Sequence, residues 1–304
     1  MGIGNYIKVI GRGRDGARAL TREQAADLFG QVLDGTVTDL EIGAFCLAMR
    51  IKGETPQEMA GFLDATGARL QPIPSQGRRV VVLPSYNGAR KLPVLTPLLA
   101  LLLARQGLPV VLHGASTETA RVSAQNVLLA LALPAQAAIK LILPGELQWV
   151  PTALLCPGLQ RLLDVRRVVG LRNPAHSLVK LLNPCDGPAL IVSSYTHAEY
   201  ASAMTATFQL MQAQALLLRG TEGEPVADPR RTPAMDAIAH GQVTRVQEAQ
   251  GGTLASVPGL PTPDVQATAH WIQAVLDGDQ PVPAPIALQV AHIVRLVDST
   301  RMTA

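Results

Sequence analysis

Over the first 75 residues the apolar positions recur at helical spacing; beyond residue 79 they gather into short unbroken runs. Thr21 with Gln24, Thr38 with Glu41 and Thr55 with Glu58 each spell a capping box, and Pro56 takes the first helical position after Thr55. Ala25, Leu28, Phe29 and Val32 follow the first cap on one face, with Gly35 placed to close that helix. Leu40, Phe45, Leu47 and Ala48 carry the second helix to Arg50-Ile51-Lys52-Gly53. The residues between the caps do not repeat, which predicts a short helical bundle and not a solenoid.

Residues 70–79 are rich in Pro and Gly and read as the connection between a helical domain (1–75) and an α/β domain (76–304). Apolar runs at 80–83, 109–112, 139–143, 190–194 and 215–218 predict buried strands of a central, mainly parallel sheet, with helical stretches between several of them. Amphipathic helices are expected at 264–277 and 285–299. The helical, basic stretch 155–183 interrupts the alternation and is expected to pack back on the helical domain.

Composition narrows the class. Of the 304 residues 48% are hydrophobic and 16% charged, which excludes a disordered chain. The apolar run 92–104 is broken by Pro93 and Pro97 and is too short for a bilayer, so no membrane partner is expected. No signal-peptide pattern opens the chain, and Cys46, Cys156 and Cys185 form no CxxC; both point to a cytoplasmic protein. An aromatic content of 3% argues against binding by base stacking. The six histidines share no zinc spacing, there is no P-loop, and no GxSxG surrounds Ser193-Ser194; neither a metal nor a catalytic serine is assigned.

Charge is sorted. The whole chain is +3, yet residues 1–18, 78–91 and 161–180 together carry +11. Folding that joined these windows would present a basic surface suited to phosphate-rich partners. Arg12, Arg14 and Arg18 lie among Gly11, Gly13 and Gly16, as in a flexible backbone-gripping arm or a frayed solvated terminus.

Three loops carry candidate chemistry. Pro84 to Lys91 follows the first strand of the α/β part, where open sheets place ligands, and includes Ser85, Tyr86, Asn87, Gly88, Arg90 and Lys91. His113-Gly114-Ala115-Ser116 ends the next strand, as an anion seat or as a helix cap with a satisfied histidine. Gly220 to Pro225 holds Glu222 and Glu224, which are either Mg²⁺ ligands or exposed turn residues.

Taken together these parts resemble the anthranilate phosphoribosyltransferase fold, within the glycosyltransferase family 3 group of nucleoside phosphorylases and phosphoribosyltransferases. Ile10-Gly11-Arg12-Gly13, Arg50 to Glu54, Pro84 to Lys91 and Leu218 to Glu224 resemble its YbiB-like branch. That resemblance implies an α/β fold with a separate small helical domain, homodimerisation through that domain, and sequence-independent DNA or RNA binding in place of catalysis. The proposed contacts are Lys8, Arg12, Arg14, Arg18, Arg50, Lys52, Arg90 and Lys91, with a residual cleft at Ser85, Tyr86, Asn87, Gly88, His113 and Arg172. It also implies what is missing. Where a working transferase has GTGGD this chain reads Pro84-Ser85-Tyr86-Asn87-Gly88; the phosphate lysine reads Leu112, and the magnesium Asp-Glu pair falls at Pro225-Val226. No cofactor is expected. Under the alternative, a phosphoribosyltransferase with an altered donor or acceptor, Glu222 or Glu224 would hold Mg²⁺ and Arg172 an aromatic acid.

Overall fold

The computed structural model describes residues 2–116, 118 and 120–299, except the side chain of Arg14. Five helices open it: α1 (Gly4–Ile10), α2 (Gly13–Gly16), α3 (Arg22–Asp34), α4 (Asp39–Lys52) and α5 (Pro56–Gly67). All three capping boxes form, satisfying backbone N–H groups that a helix start leaves open. Gly35 closes α3 in the left-handed conformation. Three of the chain's four phenylalanines meet at the centre of this bundle: Phe29 stacks on Phe62 at 4.6 Å, and Phe45 meets both edge-on. Bidentate pairs Arg22–Asp64 and Arg69–Asp34 tie α3 to α5 and to the turn that follows α5.

A seven-stranded sheet follows, in the order β3-β2-β1-β4-β5-β6-β7. The strands are β1 (Val80–Ser85), β2 (Val110–Gly114), β3 (Leu147–Pro151), β4 (Ala189–Tyr195), β5 (Gln214–Arg219), β6 (Met235–Ala239) and β7 (Gln242–Gln247). The first five are parallel, and the β6–β7 hairpin adds antiparallel on the β5 edge. Helices α6 (Thr96–Arg105), α7 (Ala124–Ala130), α8 (Thr152–Leu155), α9 (Pro157–Val169), α10 (Ala175–Leu178), α11 (Ala198–Leu210), α12 (Val265–Asp277) and α13 (Ala284–Ser299) complete the chain.

Alternation along the strands divides the core in two. Val80 and Val82 of β1 face one cluster and Val81 and Leu83 the other. The first cluster runs without a break into the phenylalanine bundle, so the helical unit is mounted on one sheet face. Helices α6, α7, α12 and α13 cover the opposite face. Helix α9 lies against α3, and Arg161 donates to the carbonyls of Val32 and Leu33 at the end of α3.

One expected strand is corrected and one unexpected hairpin is added. Residues 139–143 form no strand: the Ile142 N–H goes to the Pro74 carbonyl, and β3 lies further on, beyond the Pro144-Gly145 turn. The β6–β7 hairpin has no counterpart among the expected elements; its turn uses His240 and Gly241 at positive φ, a two-residue geometry without the usual Asn-Gly signature.

Candidate anion-seat loop and interdomain cleft

The loop after β1 stands at the carboxyl end of the sheet, next to the loop after β5. Gly88 (φ +60) turns it where any Cβ would lie 2.5 Å from the Val122 carbonyl oxygen. The turn aims successive backbone N–H groups at one region, the arrangement that makes an anion seat. The chain's own glutamates fill it. Glu224, 1% exposed, accepts from the N–H groups of Asn87 and Gly88, both at 2.9 Å. Its other oxygen accepts from Ser85 Oγ at 2.5 Å and Thr96 Oγ1 at 3.0 Å. Glu222 accepts from the N–H groups of Arg90, Lys91 and Leu92 at 3.2, 2.8 and 3.0 Å and faces Arg121 at 3.6 Å. Beside the loop a cavity of only about 10 Å³ remains, less than a phosphate needs.

Neither glutamate is the exposed turn residue that one reading of the sequence expects, because burial here is matched by donors. They do not fit the metal-ligand reading either: all four oxygens are engaged by N–H, O–H or guanidinium groups. Among the described residues no cluster of His, Cys, Asp and Glu is placed to hold a metal.

Tyr86 turns inward from the same loop, its hydroxyl on His113 Nδ1 (2.9 Å) and Thr152 Oγ1 (2.8 Å). His113 lies inside β2, wholly buried, and its Nε2 has no hydrogen-bond partner; it is neither a helix cap nor a satisfied loop histidine. Burial pushes its pKa down to about 3. Ser85, Tyr86, Asn87, Gly88 and His113 thus come together, but as a closed network.

An open cleft of about 470 Å³ lies between the helical unit and the ends of β4 and α11. Arg172, His176 and Lys180 line it from one side, Met49, Arg50 and Met59 from another. Lys180 Nζ donates to the carbonyls of Ser194 (3.2 Å) and Gly223 (3.0 Å), and burial lowers its pKa to about 8 despite the nearby Glu224 carboxylate. His176 is lowered to about 4 by burial and then by Arg172 and Arg166. Arg172 itself is half-buried and shares Glu118 with Arg166 and Arg121. Burial opposes the charge of Glu118, but Arg166 and then Arg121 outweigh it and hold the carboxyl below its ordinary range.

The basic windows divide. Lys8, Arg12 and Arg18 are exposed around α1 and α2, Arg50 at the end of α4, and Arg90 and Lys91 on the β1 loop. The side chain of Arg14 lies outside the described residues. Lys52 does not join them: its side chain is 9% exposed and its ammonium pairs with the buried Glu58 at 2.7 Å. The window 161–180 adds little free charge, since Arg161 caps α3, Arg166 and Arg172 share Glu118, and Lys180 is bonded to carbonyls. Glu118, His176 and Lys180 carry no sequence motif, and only packing reveals them.

Comparison with known proteins fits this geometry. Residues 6–67 match the helical bundle domain of a glycosyl transferase family. The uncharacterized protein YbiB of Escherichia coli K12 is 39% identical over 94% of this chain and 91% of its own length. The chain belongs to the glycosyl transferase family 3, anthranilate phosphoribosyltransferase-like family. An anthranilate phosphoribosyltransferase of Methanosarcina acetivorans is 27% identical over 84% of this chain and 66% of its own. The Thermus thermophilus enzyme of that name superposes with a TM-score of 0.73 over 94% of this chain and 85% of its own, at 20% identity, a likeness of fold. A Saccharomyces cerevisiae anthranilate phosphoribosyltransferase in complex with PRPP and Mg has a TM-score of 0.72 at 13% identity, over 98% of this chain and 88% of its own. No described helix is long and apolar enough to cross a membrane.

Proposed function

We propose that this chain is a non-catalytic, sequence-independent nucleic-acid binder that works as a homodimer on a phosphoribosyltransferase scaffold. One observation carries the reading. The loop beside which a sugar pyrophosphate would sit is filled by Glu222 and Glu224, while the cations on its rim, Arg90 and Lys91, face solvent. Phosphoryl-sugar chemistry needs donors free to receive charge developing on the phosphates. Here those donors are engaged and the outward cations remain. With Lys8, Arg12, Arg18 and Arg50 they grip phosphates by charge, without reading bases.

Helix α4 supports a second subunit. Leu40, Leu47 and Ile51 are 84%, 47% and 55% exposed along one side of it, an apolar stripe that a second copy would cover. Pairing there doubles every cation on α1, α2 and α4 and lengthens the basic surface. With about six phosphates neutralised, log affinity falls against log salt with a slope near −5. Fluorescence anisotropy with a labelled oligonucleotide at several salt concentrations tests this, and a flat response or no binding at low salt refutes it. Oligonucleotides of unrelated sequence are expected to bind alike.

The open cleft favours a second reading, a transferase with an altered donor or acceptor. Calorimetry with phosphoribosyl pyrophosphate and Mg²⁺ separates the two. The first reading expects no heat of binding, and micromolar affinity would establish the second.

A further inference from the structure

The loop after β5 behaves as a tethered ligand. Two carboxylates two residues apart fill two adjacent seats. One is made by the hydroxyls of Ser85 and Thr96 with the N–H groups of Asn87 and Gly88. The other is made by the N–H groups of Arg90, Lys91 and Leu92 with Arg121 alongside. The donors come from residues 85–96 and 121 and both acceptors from one short loop, so these bonds hold two separate segments together. That loop keeps a costly backbone shape. Glu222 has a left-handed φ of +52 without being glycine. At Gly223 (φ +89) a Cβ would fall 1.7 Å from Asn87 Nδ2. Three contacts pin the loop in that shape: Lys180 Nζ and Ser194 Oγ both donate to the Gly223 carbonyl, at 3.0 and 2.7 Å, and Asn87 Nδ2 donates to the Glu222 carbonyl at 3.2 Å.

We infer that Glu222 and Glu224 form a built-in plug, an autoinhibitory contact in which the protein's own carboxylates occupy a double oxyanion seat and keep free phosphate anions out of it. The inference shares the filled loop with the non-catalytic reading and deepens it, while nucleic-acid binding itself uses the outward side chains, so a failed pyrophosphate titration and a failed oligonucleotide titration are separate results. A covalently attached carboxylate competes at a very high effective concentration, so an external dianion cannot displace it. Removing both carboxylates leaves seven donors and one guanidinium facing a vacated space. Two seats side by side match an anion with two linked charged groups, so inorganic pyrophosphate is the fitting probe.

The test is calorimetric titration of the full chain with inorganic pyrophosphate. Wild type is expected to show no binding at millimolar ligand. E222A/E224A is expected to bind at least about 100-fold more tightly, the worth of one or two charge-assisted hydrogen bonds. E222Q/E224Q is expected to gain far less, because the isosteric amides still fill the seats. Adding Arg121→Gln to the double alanine variant is expected to reduce the gained affinity, which places the anion in this loop. Circular dichroism establishes that each variant is folded. If the double variant does not fold, E222A alone decides, since its carboxylate is the less buried; it is expected to gain about 10-fold. A folded alanine variant that binds pyrophosphate no better than wild type overturns the inference. So does wild type binding as tightly as the variant.

Discussion

At the scale of single residues, the surroundings of a side chain decide its role more than its type does. Lys52 and Arg50 stand two positions apart at the end of α4, yet Arg50 reaches solvent and Lys52 is locked to Glu58. Glu58 also accepts from the N–H groups of Leu20 and Thr55 and from the Thr55 hydroxyl, all within 3.0 Å. Lys52→Ala therefore strands a buried carboxylate and is expected to cost about 3 kcal/mol of stability while leaving the salt slope of nucleic-acid binding unchanged. Arg50→Ala should do the reverse, and urea melts beside anisotropy titrations separate the two effects. The buried histidines give a pH dependence. In the fold His113 and His176 titrate at about 3 and about 4, below the ordinary 6.5. Between those values the unfolded chain binds more protons, so stability rises with pH there and is lost as the solution is acidified below about 6.5. The melting temperature should fall between about pH 7 and about pH 5, and less steeply in His176→Gln; an unchanged melting temperature in the wild type would contradict this.

At the scale of elements, local signals and tertiary demands part company at identifiable places. Each capping box forms because both of its bonds lie within four residues, and Thr38→Ala should lower stability by about 1 kcal/mol in thermal melts. Helix α4 also shows what a helix pattern leaves open, for Phe45 and Met49 point into the bundle while Leu40, Leu47 and Ile51 face out. Leu47→Asp is expected to halve the mass measured by light scattering and to leave the helical content intact. Strand β3 was hidden by a stronger apolar run before it. Residues 139–143 are the more strand-like, but their Ile142 amide pairs with the Pro74 carbonyl, whereas Leu147–Pro151 reaches the edge of β2. Hydrophobicity marks burial there without naming the pairing partner.

At the scale of the molecule, the helical unit, the parallel sheet and the candidate loops at its carboxyl end were legible from periodicity, caps and chain order. The closed state of the anion seat was not. Gly220 to Pro225 reads as a solvated turn before it reads as a metal loop, since what its carboxylates meet lies about 130 residues away in Ser85 to Leu92. The same holds for charge: the sequence places +11 in three windows, but the fold spends most of the third on Glu118 and on backbone carbonyls and leaves parts of the first two outside. By itself, then, the sequence determined the capped helices, most of the parallel strands, their order and the family, because caps and hydrophobic periods act over a few residues. Tertiary structure alone decided which cations face solvent and which glutamates are swallowed, because the partners that set a charge's environment are brought together only when the chain closes on itself.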